Sequence, residues 1–127
     1  MKLIAHKADW NTYNHQLTNT EFYSYELFLL TDDDKMVCKV SADVMKDKPT
    51  EAVFHGLYTT EEYRNKKWGR RLMVMMEEEM ERNGVEIITL SCDDNSYQQK
   101  FYEKLDYRYL SYNKGVLVWM IKSIKND

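Results

Sequence analysis

Hydrophobic and polar positions alternate with a period of two through much of the first half of the chain, and with a period near four in parts of the second. Residues 2–8 read as a short strand. Residues 9–20 are polar with scattered aromatics, and a short helix or an irregular loop fits them. From Glu21 the alternation is regular. Tyr23, Tyr25, Leu27 and Leu29 share one face, with Phe22 and Phe28 on the other, because successive strand side chains point to opposite sides. The run Asp32-Asp33-Asp34-Lys35 makes a turn, and Cys38, Val40, Ala42 and Val44 alternate on the return strand, which predicts a hairpin. After a loop at 46–50 containing Pro49, residues 52–59 form a strand with apolar residues on both faces. That pattern is expected of a central strand covered on both sides.

The period changes after a basic turn. Over 69–83, Leu72, Met76 and Met80 recur every four residues with Met73 beside them, while Glu77, Glu78, Glu79 and Glu81 fall on the side facing water. The spacing predicts a helix whose Met-rich face packs on a core. Asn83-Gly84 stops it. Residues 85–92 are rich in β-branched side chains and read as a strand. Tyr97, Phe101 and Leu105 mark the buried stripe of a second helix, with 93–96 available to cap it. Strands at 107–112 and 116–121 flank Asn113-Lys114-Gly115 as a closing hairpin. Strands first, then helix, strand, helix and two strands, describe an α/β layer fold around one mixed sheet.

Composition narrows the possibilities. The 127 residues match one domain and leave no room for a second. Ten Tyr, four Phe and three Trp are enough to build a core, so disorder is expected only in the tail 122–127. The net charge of −3 argues against a nucleic-acid or membrane-surface binder. Within that slightly acidic chain, Arg64, Lys66, Lys67, Arg70 and Arg71 crowd into a single turn. Cys38 and Cys92 lie in alternating apolar stretches and read as free buried thiols in a reducing compartment. No export signal and no bilayer-length apolar run is visible, which predicts a cytoplasmic protein. No Cys/His/Asp cluster has metal-ligand spacing, so no metal is expected.

A strand that ends at a turn and enters a helix aims several backbone N–H groups at one point, where the helix dipole adds positive potential. Glycine then lets the backbone approach a phosphate, and basic side chains fringe it. Residues 60–72, Thr-Glu-Glu-Tyr-Arg-Asn-Lys-Lys-Trp-Gly-Arg-Arg-Leu, have this design. On its own the stretch fits a solvated basic loop equally well.

The stretch also resembles motif A of the GNAT superfamily, the acyl-CoA-dependent N-acyltransferases, with signature (Gln/Arg)-x-x-Gly-x-(Gly/Ala). Arg64 matches the first position and Gly69 the last, whereas Lys67 replaces the middle glycine. A second stretch, Asn-Ser-Tyr-Gln-Gln-Lys-Phe-Tyr-Glu-Lys-Leu-Asp-Tyr from Asn95 to Tyr107, resembles the family segment Asn-x-x-Ala-x-x-hydrophobic-Tyr-Glu-Lys-Leu-Gly-Phe. Asn95 and Tyr102 keep the family spacing, and Phe101, Glu103, Lys104 and Leu105 match around Tyr102. Gln98, Asp106 and Tyr107 depart from it. Two motifs in the right order are far more specific than either alone. The resemblance covers roughly 52–121; the family's pair of helices after the first strand has little room in 9–20.

The resemblance implies a GNAT-like fold in which strands 52–59 and 85–92 lie parallel and splay apart, with helices packed on the sheet. The pantetheine arm of acetyl-CoA would lie in that wedge, against the backbone of Leu57, Tyr58 and Thr59. Arg64, Asn65, Lys66, Lys67, Trp68, Gly69 and Arg70 would hold the pyrophosphate, and Asn95 would touch the pantetheine from the other side. The implied reaction is direct acetyl transfer from acetyl-CoA to an amine acceptor, a small molecule or a protein amine. Tyr102 matches the family's general acid toward the sulfur, since a phenol stays protonated at neutral pH; core packing is its other reading.

For the base, His55 shares the strand parity of Val53, Leu57 and Thr59 and could take the amine proton directly or through water. A structural histidine, Glu51 and bulk water are the alternatives. Asp32, Asp33 and Asp34 fit either a cation-attracting patch or a solvated turn. Monomer and homodimer both fit. Lys67 and Asp106 in place of glycines also motivate an alternative reading, a GNAT-fold binding or structural module without catalysis.

Overall fold

The computed structural model describes residues 2–14, 19–113 and 116–125. Its elements are β1 (Lys2–Asn14), β2 (Asn19–Leu30), β3 (Met36–Met45), β4 (Glu51–Thr59), a 3-10 turn (Glu61–Tyr63), α1 (Trp68–Arg82), β5 (Ile87–Asp93), α2 (Tyr97–Lys104), β6 (Arg108–Asn113) and β7 (Leu117–Ser123). The strands form one sheet of order β1-β2-β3-β4-β5-β7-β6. Every neighbouring pair is antiparallel except β4 and β5, which run parallel. The mixed α/β sheet anticipated from the element order is the observed one.

The alternating pattern of β2 and β3 does what its period requires. Tyr25, Leu27, Leu29, Cys38, Val40, Ala42 and Val44 are all buried on one face. Against them α1 lays Leu72, Met73, Met76 and Met80, each fully buried. Burying one such side chain contributes about 2 kcal/mol, so this methionine stripe fixes the helix across β2, β3 and β4. The helix ends where Asn83 and Val85 both donate to the Met80 carbonyl and Gly84 turns the chain at φ +86°. That positive φ is why glycine follows the helix. Tyr102 of α2 and Leu105 at its C-cap, with Tyr107 behind them, extend the same core over β5. Ser96 caps α2 by accepting from the Gln99 N–H at 3.2 Å, and the Gln99 side chain accepts from the Asn95 N–H at 2.7 Å.

Both helices lie on one face, and among the described residues no helix covers the other. β4 is therefore not the doubly covered strand its composition predicted. Ala52 and Phe54 are buried, but Val53 is half-buried and His55 exposed. Gly56, at φ +67°, adds a second departure. The register runs from Ser41↔His55 to Lys39↔Tyr58, so β4 carries one extra residue there, a β-bulge. Beyond it the faces exchange: Leu57 packs on the core, and Thr59 faces α1. His55 thus keeps the parity of Val53 but not that of Leu57 and Thr59, and it points away from the helices.

Three further expectations are corrected. Residues 9–14 continue β1, paired with β2 from Trp10↔Tyr23 to Asn14↔Asn19, and are neither helix nor loop. Backbone pairing to a neighbour makes this strand, and no hydrophobic period announces it. Glu77 does not face water. It is buried, accepting from the Tyr107 hydroxyl and from Lys122, each at 2.8 Å. Lys122 and Ser123, expected in a disordered tail, are the last residues of β7, and Ile124 donates to the Glu86 carbonyl. The turn residues Lys114 and Gly115, and the end of the tail at 126–127, lie outside the described residues.

Candidate functional site

β4 and β5 pair only at Glu51↔Ile87, Ala52↔Ile88 and Val53↔Thr89, although they run on to Thr59 and Asp93. Each strand leaves with its antiparallel partner. β4 stays with β3 to Thr59↔Cys38, while β5 stays with β7 to Asp93↔Leu117. The bulge at Gly56 strengthens the divergence, since an extra residue bends its strand and increases the local twist. The result is the expected wedge.

Backbone groups alternate between the two edges of a strand. The Thr60 N–H donates to the Val37 carbonyl at 2.8 Å, on the β3 side. By alternation Thr59 and Leu57 direct theirs into the wedge. Consistent with this, the Thr59 carbonyl accepts from Arg64 Nε at 2.9 Å. Arg64 also lies over the Tyr58 ring, 5.5 Å from its centroid. The first family-matched residue thereby ties the basic turn to the end of β4.

In that turn Asn65 and Lys67 have φ +63° and +66°, the left-handed region that L-residues enter at about 1–2 kcal/mol each. Lys67 is the N-cap of α1, and no side chain caps it. The first helical bond there runs from the Arg71 N–H to the Lys67 carbonyl, which leaves the earlier N–H groups of α1 aimed outward at the positive end of the helix dipole. Left-handed residues next to a helix start form the concave amide nest that suits an anion. The backbone that glycine would supply at position 67 is therefore present, with lysine strained into it. Gly69 explains itself differently. A Cβ there would come within 3.3 Å of Thr59 Oγ1 and 3.8 Å of the Phe101 ring, so the helix start is pressed against both walls of the wedge.

The cavity measures about 670 Å³. Its walls are Leu57, Tyr58 and Thr59; Tyr63, Arg64, Asn65 and Lys67; Trp68, Gly69 and Arg70; and a stripe of α2 from Tyr97 to Leu105 that includes Phe101 and Tyr102. Lys66 lies on an adjoining groove of about 760 Å³ along the outside of α1, with Arg71 and Met75. Asn95 is exposed, has φ +57°, and lines neither cavity. His55 lines neither as well. Tyr97, read as part of a buried stripe, is 76 % exposed and forms a rim of the wedge. Its spacing put it on the correct side of α2; what lies on that side there is cavity rather than core. Gln98 and Lys104 join the wall without any signal beyond their spacing of three residues either side of Phe101.

Tyr102 is 9 % exposed, with its ring 5.3 Å from that of Phe101 and 5.9 Å from that of Tyr107, both edge-to-face. Burial pushes its phenol up to about 12, with the neighbouring Cys92 adding to the effect. Burial also raises the Cys92 thiol, so the sulfur is not poised as a nucleophile. On the opposite face of β4, His55 Nε2 lies 3.1 Å from Asp43 Oδ2, and Ser24 Oγ donates to Asp43 Oδ1 at 3.1 Å. Nothing local in the sequence joins these three residues. Among the described residues no group of three His, Cys, Asp or Glu could hold a metal, and no helix is long and apolar enough to cross a membrane.

Comparison with known proteins bears on this arrangement. The model of the acetyltransferase (GNAT) family matches residues 3–107. No match was found among curated proteins. Solved structures are similar in fold. A GNAT-family acetyltransferase from Staphylococcus aureus superposes with a TM-score of 0.69 at 14 % identity, over 80 % of this chain and 68 % of its own. An aminoglycoside 6'-N-acetyltransferase complexed with coenzyme A gives 0.68 at 21 % identity, over 82 % and 74 %. An aminoglycoside 6'-acetyltransferase type Ii gives 0.66 at 26 % identity, over 82 % and 71 %. With a wedge between parallel strands, a basic turn into α1 and a family match over most of its length, this chain belongs to the GNAT family of acetyltransferases.

Proposed function

We propose that the protein transfers an acetyl group from acetyl-CoA to an amine by direct attack. One observation carries the reading. The unpaired edge of β4, the uncapped start of α1 and the Tyr102 ring all border the same cavity. The pantetheine arm lies along Leu57, Tyr58 and Thr59, and its amides pair with the edge groups of Leu57 and Thr59. The pyrophosphate lies over residues 64–70, with Lys66, Lys67 and Arg70 supplying charge to the backbone amides. A coenzyme A complex is known for one of the structurally similar enzymes. Asn95 acts on the pantetheine only indirectly, by starting α2.

In the reaction the amine nitrogen bonds to the thioester carbonyl carbon and the carbon–sulfur bond breaks. His55 takes the amine proton, and the electron pair of the broken bond goes to sulfur. Tyr102 is the acid facing that sulfur. Its phenol, near 12, is protonated at any working pH, and the thiol it serves titrates near 8.5. Complete proton transfer would be uphill by roughly 5 kcal/mol, so Tyr102 acts by donating a strong hydrogen bond to the developing thiolate. The non-catalytic reading drew on Lys67 and Asp106 in place of glycines, and both hold a left-handed backbone, at φ +66° and +71°.

The test is a calorimetric and thermal-shift titration with acetyl-CoA, followed by thiol-release assays against a panel of primary amines. A ligand selective for the folded state stabilises it by about 2.7 kcal/mol at a hundred times its Kd. A saturable rise in Tm, and its loss in Gly69→Leu, whose side chain would fill the wedge, are expected. No shift at millimolar acetyl-CoA overturns the reading.

A further inference from the structure

The helix-free face of the sheet carries a polar chain that crosses three strands. Ser24 on β2 and Asp43 on β3 are register partners, and Asp43 is in turn the partner of Val53 on β4, which makes His55 its diagonal neighbour. All three side chains lie on one face. Ser24 Oγ donates to Asp43 Oδ1 at 3.1 Å, and His55 Nε2 meets Oδ2 at 3.1 Å. We propose that Asp43, held by Ser24, is the positioning residue that prepares His55 as base for the acceptor amine. This inference rests on the acyl-transfer reading above.

A carboxylate only accepts hydrogen bonds, so a neutral imidazole facing it must carry its proton on Nε2. Nδ1 then holds the lone pair and is the atom able to receive a proton. Ser24 occupies the other carboxylate oxygen, which fixes the orientation of the group that orients the ring. The Asp43 side chain is 26 % exposed while that of His55 is 52 % exposed. The orienting partner is sheltered and the base is accessible.

The position in the fold supplies the rest. The last β4–β5 pair is Val53↔Thr89. His55 stands two residues further, at the lip of the wedge, and the next residue is the bulged Gly56. Tyr102 borders the same wedge from the helix side. An amine arriving over the bare face meets the base on arrival, and the sulfur departs toward the opposite face. As the new carbon–nitrogen bond forms, the amine proton passes to Nδ1 and the carbon–sulfur electron pair passes to sulfur. The imidazolium so formed is balanced by the Asp43 carboxylate. Among the described residues, the register also places Glu26, across from Ser41, Lys39, across from Tyr58, and Glu51, two before Val53, on this face.

The experiment compares unsubstituted protein with His55→Ala, Asp43→Asn and Ser24→Ala. Steady-state thiol release is measured with acetyl-CoA and the best-accepted amine of the panel, and carbon and nitrogen NMR of the His55 ring reports its tautomer. His55→Ala should lower kcat by about 100-fold or more. Asp43→Asn should lower it by about 10–100-fold, with the KM for acetyl-CoA unchanged and the ring shifted from the Nε2–H tautomer. Ser24→Ala should show the same effects in smaller measure.

If His55→Ala keeps full kcat, the base assignment falls and takes this inference with it. If His55→Ala is inactive while Asp43→Asn keeps both rate and tautomer, the base assignment stands and the role of Asp43 is overturned. The NMR measurement needs no acceptor, and an Nδ1–H ring in the unsubstituted protein overturns the proposal whatever the rates.

Discussion

On the helix-bearing face of the sheet, side chains are specified by volume: Met73, Met76 and Met80 fill the space over β2–β4, and the start of α1 lies so near Thr59 and Phe101 that a Cβ at 69 would sit 3.3 Å from Thr59 Oγ1. On the bare face they are specified by hydrogen bonding, one strand handing a partner to the next through Ser24, Asp43 and His55. The first arrangement punishes any lost or added atom. The second leaves its groups half in water, where a substitution costs little stability and changes chemistry instead. On the proposed reading, cofactor binding and the acid Tyr102 belong to the rigid face, and the base His55 to the tolerant one.

The comparison breaks most visibly at Glu77, the one buried charged residue described on the covered face. Glu77→Ala leaves Lys122 and the Tyr107 hydroxyl without the partner each holds at 2.8 Å, and about 3–5 kcal/mol of stability should be lost, measured by urea unfolding. Lys46→Ala, which removes the exposed pair with Glu21, should leave the midpoint where it was.

Next in size is Tyr102→Phe, expected to lower kcat by about 100-fold while acetyl-CoA affinity by calorimetry stays within about twofold. Equal loss of both would make Tyr102 a packing residue of the covered face. Alkaline pH probes the same face without mutation. Burial raises the Tyr102 phenol to about 12 and raises Tyr107 further, with Glu77 adding to the shift. A raised folded value means that the unfolded chain loses its phenolic protons first. The stability held by these groups is complete below the unfolded value near 10; that of Tyr102 is lost as pH rises through 12, and that of Tyr107 goes on falling above it. Each phenol should contribute about 1.4 kcal/mol of loss per pH unit in that window, and Tyr102→Phe should unfold with a shallower pH slope. The smallest effect has the opposite sign. Lys67→Gly should raise stability by about 1 kcal/mol, seen as a higher Tm in the absence of ligand. An unchanged Tm would mean that the left-handed turn carries no strain.

Much of the covered face was legible because its elements announce themselves locally. The four-residue recurrence of Leu72, Met76 and Met80 predicts α1, and the family resemblance carried by the motifs around Gly69 and Tyr102 implies the wedge. What stayed hidden depended on distance along the chain. Glu77 reads as one of a run of surface glutamates until Tyr107 and Lys122, 30 and 45 residues away, are brought to it. The Ser24–Asp43 bond spans 19 residues and two strands, and follows from a register that periodicity does not fix. Simple alternation puts His55 on the face of Leu57 and Thr59, and the bulge at Gly56 puts it on the other. A glycine inside a strand warns of a bulge, and here the warning applied.

Gly56 behaves like a dislocation in a crystal row, one inserted unit that throws everything beyond it half a step out of phase. Before it, β4 shows His55 to the bare face; after it, the same strand shows Leu57 and Thr59 to the helices. A single extended segment can in this way present a proton acceptor on one side and a cofactor-binding edge on the other within five residues. On the proposed reading that glycine sets the phase of the strand, since a residue that straightened it would leave His55 and the Leu57–Thr59 segment intact but out of step with each other.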